Sequence, residues 1–157
     1  MISITWSIFK AIKLLLLAAL GLAYLLTGIL SIINWGVDLV GVNQQFYSNF
    51  IPRDLGFALV ALTVGASLVA STLYALRGNQ VMHLAAAAIG TWLALGALVI
   101  QAIVAAATAL DSVVLGENID YSFVDEQLLR MDVILGCVAL PISVYYTLML
   151  REMIKSR

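Results

Sequence analysis

Charged residues are scarce in this 157-residue chain: 11% are Asp, Glu, Lys or Arg, and the formal net charge is −1. A soluble domain usually carries about 25% charged residues. By contrast, 63% of the residues are apolar, and a small fold has too much surface for its volume to hide that much apolar area from water. A soluble monomer is therefore excluded, and so is a disordered chain, which needs the opposite composition.

Ligating and reactive side chains are also few, because Cys137 is the single cysteine and His83 the single histidine. An internal disulfide is therefore excluded, and a bis-histidine haem or a metal site needs more ligands than this chain supplies alone. We find no HExxH, Cys-x-x-Cys or Gly-rich phosphate motif, and no basic surplus for binding nucleic acid. We therefore expect no enzyme activity, no cofactor, no metal site and no nucleic-acid partner, and we expect Cys137 to be a small buried hydrophobe.

The charges leave four long uncharged windows, at residues 14–37, 55–76, 78–110 and 133–150. A helix needs about 20 apolar residues to cross the hydrocarbon core of a bilayer. The windows lack the two-residue alternation of a transmembrane β-barrel, and a single segment in lipid must satisfy its own backbone hydrogen bonds. The sequence therefore predicts an all-α fold, a single-domain bundle over residues 1–157. We expect four transmembrane helices at about 14–36, 55–76, 82–110 and 131–150.

The basic residues predict the orientation of this bundle. With four spans, both termini and the turn at residues 77–80 lie on one side of the membrane. That side holds six bases, Lys10, Lys13, Arg77, Arg151, Lys155 and Arg157, whereas the other side holds only Arg53 and Arg130. Because basic residues concentrate on the cytoplasmic side, we predict a multi-pass plasma-membrane protein with cytoplasmic N- and C-termini.

Small residues recur at four-residue spacing in the third span, where Ala86, Gly90 and Ala94 form a stripe that continues at Ala102 and Ala106. Small side chains let helix backbones approach closely in lipid. The stripe predicts either packing inside the bundle or contact with a partner protein, and it makes Gly90 and Ala94 candidates for partner binding.

Two polar side chains are candidates for binding a cofactor, although acidic and basic residues are missing from the middle of the spans. Gln101, deep in the third span, is suited to a hydrogen bond with a neighbouring helix or with a quinone carbonyl. His83, near the cytoplasmic turn, is either an interfacial side chain, a hydrogen-bond donor to a quinone or a point of proton entry. We expect Tyr145 and Tyr146 to lie in the aromatic belt at the same interface.

The loop before the fourth span is rich in acidic residues, among them Asp120, Asp125 and Glu126. Such a loop is either an ordinary solvated surface or a docking site for a basic partner on the outer side. A short helix at residues 124–130 would lead into the span, with Arg130 placed to pair with Glu126 at i,i+4 spacing.

The first half of the chain resembles the DoxX-like family. The resemblance rests on the stretch AALGLAYLLTGIL at residues 18–30, the long loop that follows and LGFA at residues 55–58. DoxX-like proteins are small four-helix membrane proteins, and some are associated with quinone-linked oxidoreductases and terminal oxidases, so the resemblance implies a respiratory or quinone-linked setting.

Together these features predict a non-catalytic accessory subunit of a larger membrane complex. The alternative is a small homo-oligomeric channel, carrier or quinone-site protein. In both cases the partners are the lipid bilayer and other membrane subunits or further copies of the chain.

Overall fold

The computed structural model describes residues 2–41, 50–115 and 129–155, with side chains from residue 11 onward. These residues form four helices: α1 (Ile2–Leu39), α2 (Leu55–Leu76), α3 (Gln80–Val114) and α4 (Met131–Lys155). Each helix is long and apolar enough to cross a membrane. The predicted all-helical class with four candidate membrane spans is therefore confirmed, and each predicted span lies within one of the helices.

Capping side chains define where α2 and α3 begin. The Asp54 side chain accepts hydrogen bonds from the backbone N–H groups of Gly56 and Phe57, and Asn79 accepts one from Met82. Gly78 adopts a φ of 77° in the turn between the two helices, a left-handed conformation that glycine adopts without steric cost. This tight turn makes α2 and α3 antiparallel neighbours, as the sequence predicts.

The helices pack in chain order: α1 contacts α2 extensively, α2 contacts α3 and α3 contacts α4, whereas α1 and α4 touch little. We call the end of the bundle near residues 11–13, 77–80 and 155 the terminal end, and the opposite end the loop end. The arrangement leaves an opening between α1 and α4 toward the terminal end.

Glycines allow α1 and α2 to approach closely. A Cβ atom on Gly28 would lie 3.0 Å from the Ala58 carbonyl oxygen, and one on Gly65 would lie 2.8 Å from the backbone nitrogen of Leu25. Because both neighbours are backbone atoms, they cannot turn aside as a flexible side chain does. These glycines therefore set the distance between the two helices.

The small-residue stripe of α3 divides between the inside and the outside of the bundle. Gly90 and Ala94 are buried, and a Cβ atom on Gly90 would lie 2.9 Å from Cδ2 of Leu68 in α2. Ala102 and Ala106, further along α3, are exposed. The first part of the stripe thus packs within the chain, and the second part faces outward.

Two expectations for α4 were wrong. Cys137 is exposed, because Gly136 takes the place against α3, where its Cα faces Leu98, and the next residue is rotated outward. An outward thiol is tolerated because its surroundings in a membrane are apolar. Tyr146 is 5% exposed and lies in the core, so only Tyr145 is placed near the surface as a belt residue would be.

Candidate functional site

A connected series of polar and aromatic side chains joins all four helices at the terminal end. Its members are Lys13 of α1, Ser71 of α2, His83 of α3, and Tyr145 and Tyr146 of α4. We call it the terminal-end network.

The network begins at the contact between α1 and α4. Lys13 Nζ donates a hydrogen bond of 2.9 Å to the Tyr145 hydroxyl and lies 4.3 Å from the centre of the same ring. A lysine at this depth can lay its alkyl chain along apolar surface while its ammonium group reaches the interface. This contact connects the first and last helices at a place where they otherwise touch little.

Two edge-to-face ring contacts carry the network inward. The Tyr145 and Tyr146 rings are 5.2 Å apart at an interplanar angle of 83°, and Tyr146 lies 5.4 Å from His83 at 87°. Edge-to-face pairs at this spacing are favourable because the positive edge of one ring meets the negative face of the other.

The network ends in hydrogen-bonding contacts between Ser71 of α2 and His83 of α3. The Ser71 hydroxyl donates to the His83 carbonyl oxygen at 2.8 Å, and His83 Nδ1 lies 2.8 Å from Ser71 Oγ and 3.0 Å from the Ser71 carbonyl oxygen. A carbonyl oxygen only accepts hydrogen bonds, so this geometry assigns the proton to Nδ1. His83 is thus half-buried between helices rather than a side chain that only faces the interface.

An apolar crevice of about 190 Å³ lies beside the network, between α1 and α4. Lys13, Leu16 and Leu17 line one wall, and Pro141, Ile142, Tyr145 and Tyr146 line the other. Pro141 has no backbone N–H, so it cannot bond the carbonyl four residues earlier, and its ring forms part of the wall. This crevice is the opening that the sequential packing of the helices leaves.

A second group of polar contacts fastens the loop end. Ser31 Oγ donates to the carbonyl oxygens of Pro52 at 2.6 Å and Asp54 at 3.1 Å, and Asn34 Nδ2 lies 3.5 Å from the Ile51 carbonyl oxygen. These bonds hold the segment that precedes α2 against α1. None of these bonds was predicted from the sequence, although one face of α1 carries polar side chains at three- and four-residue spacing: Tyr24, Thr27, Ser31, Asn34 and Asp38.

An ion pair lies where the chain enters α4. Arg130 Nη2 is 3.0 Å from Asp132 Oδ2, and the Asp132 side chain is only 4% exposed. Phe50 connects the same region to the first loop, since its carbonyl oxygen accepts a hydrogen bond of 2.9 Å from the Met131 N–H. The structure thus pairs Arg130 with Asp132, whereas the sequence suggested Glu126, which lies outside the described residues.

The remaining candidates from the sequence are Gln101 in α3 and the acidic residues that precede α4. Gln101 is 6% exposed within the bundle, and its predicted bond to a neighbouring helix and the quinone alternative both stay predictions. Asp120, Asp125, Glu126 and the predicted helix at residues 124–130 fall in the segment 116–128 that the structure does not describe. In the described part of the chain, no three His, Cys, Asp or Glu side chains are grouped as metal ligands would be.

Comparison with known proteins adds no relative: no protein-family model, curated protein or solved structure matches this chain. The DoxX-like resemblance therefore stays a prediction. The contacts that the structure shows for His83, Ser71 and Tyr146 join neighbouring helices.

Proposed function

We propose that the protein is a non-catalytic accessory subunit of a larger membrane complex and that α3 supplies its contact with a partner subunit. Four apolar helices make up most of the chain, and little of it extends beyond them. The polar groups at the terminal end are engaged in joining the four helices to one another. These features favour a role in assembly over a reaction carried out by this chain.

The proposal is carried by the small residues that α3 exposes in its half toward the loop end. Ala102 and Ala106 are exposed and lie one turn apart on the same side of the helix. Helices associate in lipid through small residues that let their backbones come close, because lipid tails are as apolar as leucine. Ile103 is 63% exposed on the same half of the helix and supplies the larger contact area beside them.

Site-specific photo-crosslinking in cells tests this contact. A photoreactive residue at Ala102 or Ala106 should give a discrete protein adduct that mass spectrometry identifies, whereas one at Leu22, an exposed position on α1, should not. If the crosslinked protein also copurifies with the unaltered chain in mild detergent, the two form a stable complex. Absence of protein adducts at both α3 positions would contradict the proposal, and an adduct with a second copy of the chain would favour the homo-oligomeric alternative.

The acidic loop is proposed as a further contact with a basic partner on the outer side. Replacing Asp120, Asp125 and Glu126 together by their amides should lower recovery of the partner, and high salt should have the same effect through screening. The bundle itself should stay folded, because none of the three residues belongs to α1, α2, α3 or α4. Equal recovery of partner from the triple variant and the unaltered protein, at low and high salt alike, would leave the loop as an ordinary solvated surface.

The cytoplasmic placement of both termini and the location in the plasma membrane belong to the same proposal. They are supported by the unequal distribution of Lys and Arg between the two ends of the bundle. A respiratory or quinone-linked setting has support from the family resemblance alone.

A further inference from the structure

The crevice between α1 and α4 combines an apolar wall with a cation at its mouth. Its lining is formed almost wholly of apolar surface, and it opens sideways between two helices that touch little. An apolar cavity of about 150 Å³ is already large enough to hold a benzene molecule. At about 190 Å³, the crevice has room for part of one hydrocarbon chain but not for a helix.

Lys13 determines which lipid headgroup fits at the mouth of the crevice. Its ammonium group has three N–H donors, and one of them is used by the Tyr145 hydroxyl. Lys13 is the last charged residue before the uncharged run at residues 14–37, and a lysine at the end of an apolar run extends its ammonium group to the depth of the lipid headgroups. Within the part of the chain that the structure describes, no second acceptor contacts this ammonium group, which leaves two donors for an anion at the mouth of the apolar crevice.

Other bases at the terminal end add to the attraction. Arg151 and Lys155 lie in the last turns of α4 and are exposed, and Arg77 follows α2. Glu152 is the acid among them. A cluster of bases next to a membrane attracts anionic lipids over neutral ones.

We propose that this crevice binds one anionic phospholipid, with an acyl chain between α1 and α4 and its phosphate accepting a hydrogen bond from Lys13. Leu16, Leu17 and Ile142 surround the chain, and the Tyr145 hydroxyl holds the ammonium group in place. The lipid fills the space that the sequential packing of the helices leaves open. This site is independent of the α3 contact and of any partner subunit.

Native mass spectrometry of the full chain tests the headgroup contact, with phosphatidylglycerol and phosphatidylcholine of identical acyl chains as probes. The unaltered protein should retain phosphatidylglycerol in preference to phosphatidylcholine. Lys13→Gln should lower retention of phosphatidylglycerol about tenfold, the effect of one charge-assisted hydrogen bond. It should lower retention of phosphatidylcholine less, because the choline ammonium offsets the charge of that lipid's phosphate. Equal retention of both lipids by the unaltered protein would overturn the proposal.

A control variant separates the lipid site from general charge attraction at the terminal end. Arg151→Gln removes the same charge from an exposed residue outside the crevice and should retain phosphatidylglycerol nearly as well as the unaltered protein. A loss in Arg151→Gln as large as that in Lys13→Gln would show general charge attraction and would overturn the proposal.

A second pair of variants tests the acyl chain and needs no change at Lys13. Ile142→Trp fills the crevice from the α4 wall, whereas Val144→Trp places the same ring on the exposed side of that helix. Ile142→Trp should lose phosphatidylglycerol and Val144→Trp should keep it. Equal retention by both variants would show that no acyl chain occupies the crevice, even if Lys13→Gln does not fold.

Discussion

A Cβ atom on Gly65 of α2 would lie 2.8 Å from the carbonyl oxygen of Gly21 in α1. Each of these glycines faces the other helix, because a Cβ atom on Gly21 would in turn lie 3.1 Å from the backbone nitrogen of Val69. The distance between α1 and α2 is therefore fixed by backbone against backbone.

Gly65→Ala should destabilise the bundle although alanine is the better helix former. Alanine improves helix propensity by about 1 kcal/mol, but overpacking typically costs about 1–3 kcal/mol and here the obstruction is backbone. The matched change Gly96→Ala meets nothing within 4 Å and should be neutral or slightly stabilising. Thermal unfolding in detergent measures both, and equal midpoints for the two variants would contradict the close approach of α1 and α2.

Ser71→Ala should weaken the joint between α2 and α3. The Ser71 hydroxyl is fully buried and donates to the His83 carbonyl oxygen, so its removal leaves buried polar atoms without that partner, at a cost of about 1–3 kcal/mol. Ser67→Ala is the control, because Ser67 donates only to the Thr63 carbonyl oxygen of its own helix. The midpoint of thermal unfolding should fall clearly for Ser71→Ala and change little for Ser67→Ala. The reverse order would contradict the hydrogen bond between Ser71 and His83.

Arg130→Gln should be far more damaging than Arg53→Gln. Removing one partner of a buried ion pair costs about 3–5 kcal/mol, and we expect the lower part of that range because Arg130 is 21% exposed while Asp132 is 4% exposed. The Arg53–Asp38 pair has the same 3.0 Å separation but is 48% and 54% exposed, so its loss should cost at most about 1 kcal/mol. Adding Asp132→Asn to Arg130→Gln should restore part of the stability, because it removes the buried carboxylate that has lost its partner. If thermal unfolding shows no such rescue, the cost of Arg130→Gln does not come from the unpaired charge of Asp132.

Single cysteines test the orientation of the bundle. In a Cys137→Ala background, cysteines at Asn79 and at Gly116 should react with a membrane-impermeant reagent from opposite sides. Gly116 should be labelled in intact cells and Asn79 only after the membrane is opened, because the bases are concentrated at the terminal end. Labelling of Asn79 in intact cells would reverse the predicted orientation.

The helices were predictable from the sequence because hydrocarbon imposes both a length and a composition. Residues 55–76 are predicted with the bounds that α2 has, since charged Asp54 and Arg77 flank an uncharged run. The structure extends α1 back to Ile2, well before the predicted span at residue 14. Lys10 and Lys13 end the apolar run there, but lysine is a good helix former and does not end a helix.

The direction in which each side chain points was less predictable. Spacing identified the stripe at Gly90 and Ala94, both of which are buried, but an almost uniformly apolar α4 gave no sign that Cys137 faces outward. The hydrogen bond between Lys13 and Tyr145 joins residues 132 positions apart, and no local pattern relates them. Such contacts depend on how whole helices are arranged, which hydropathy alone does not specify.

The packing of the helices in chain order has a consequence for biogenesis. Each helix that leaves the ribosome finds its main neighbour already in the bilayer, because α2 packs on α1, α3 on α2 and α4 on α3. No early helix has to wait for a late one, so a nascent chain can settle progressively during translation and keep few unsatisfied surfaces for chaperones or proteases to recognise. The contacts of α4 with earlier segments close only after its synthesis, among them the one between Lys13 and Tyr145 and the one between Phe50 and Met131.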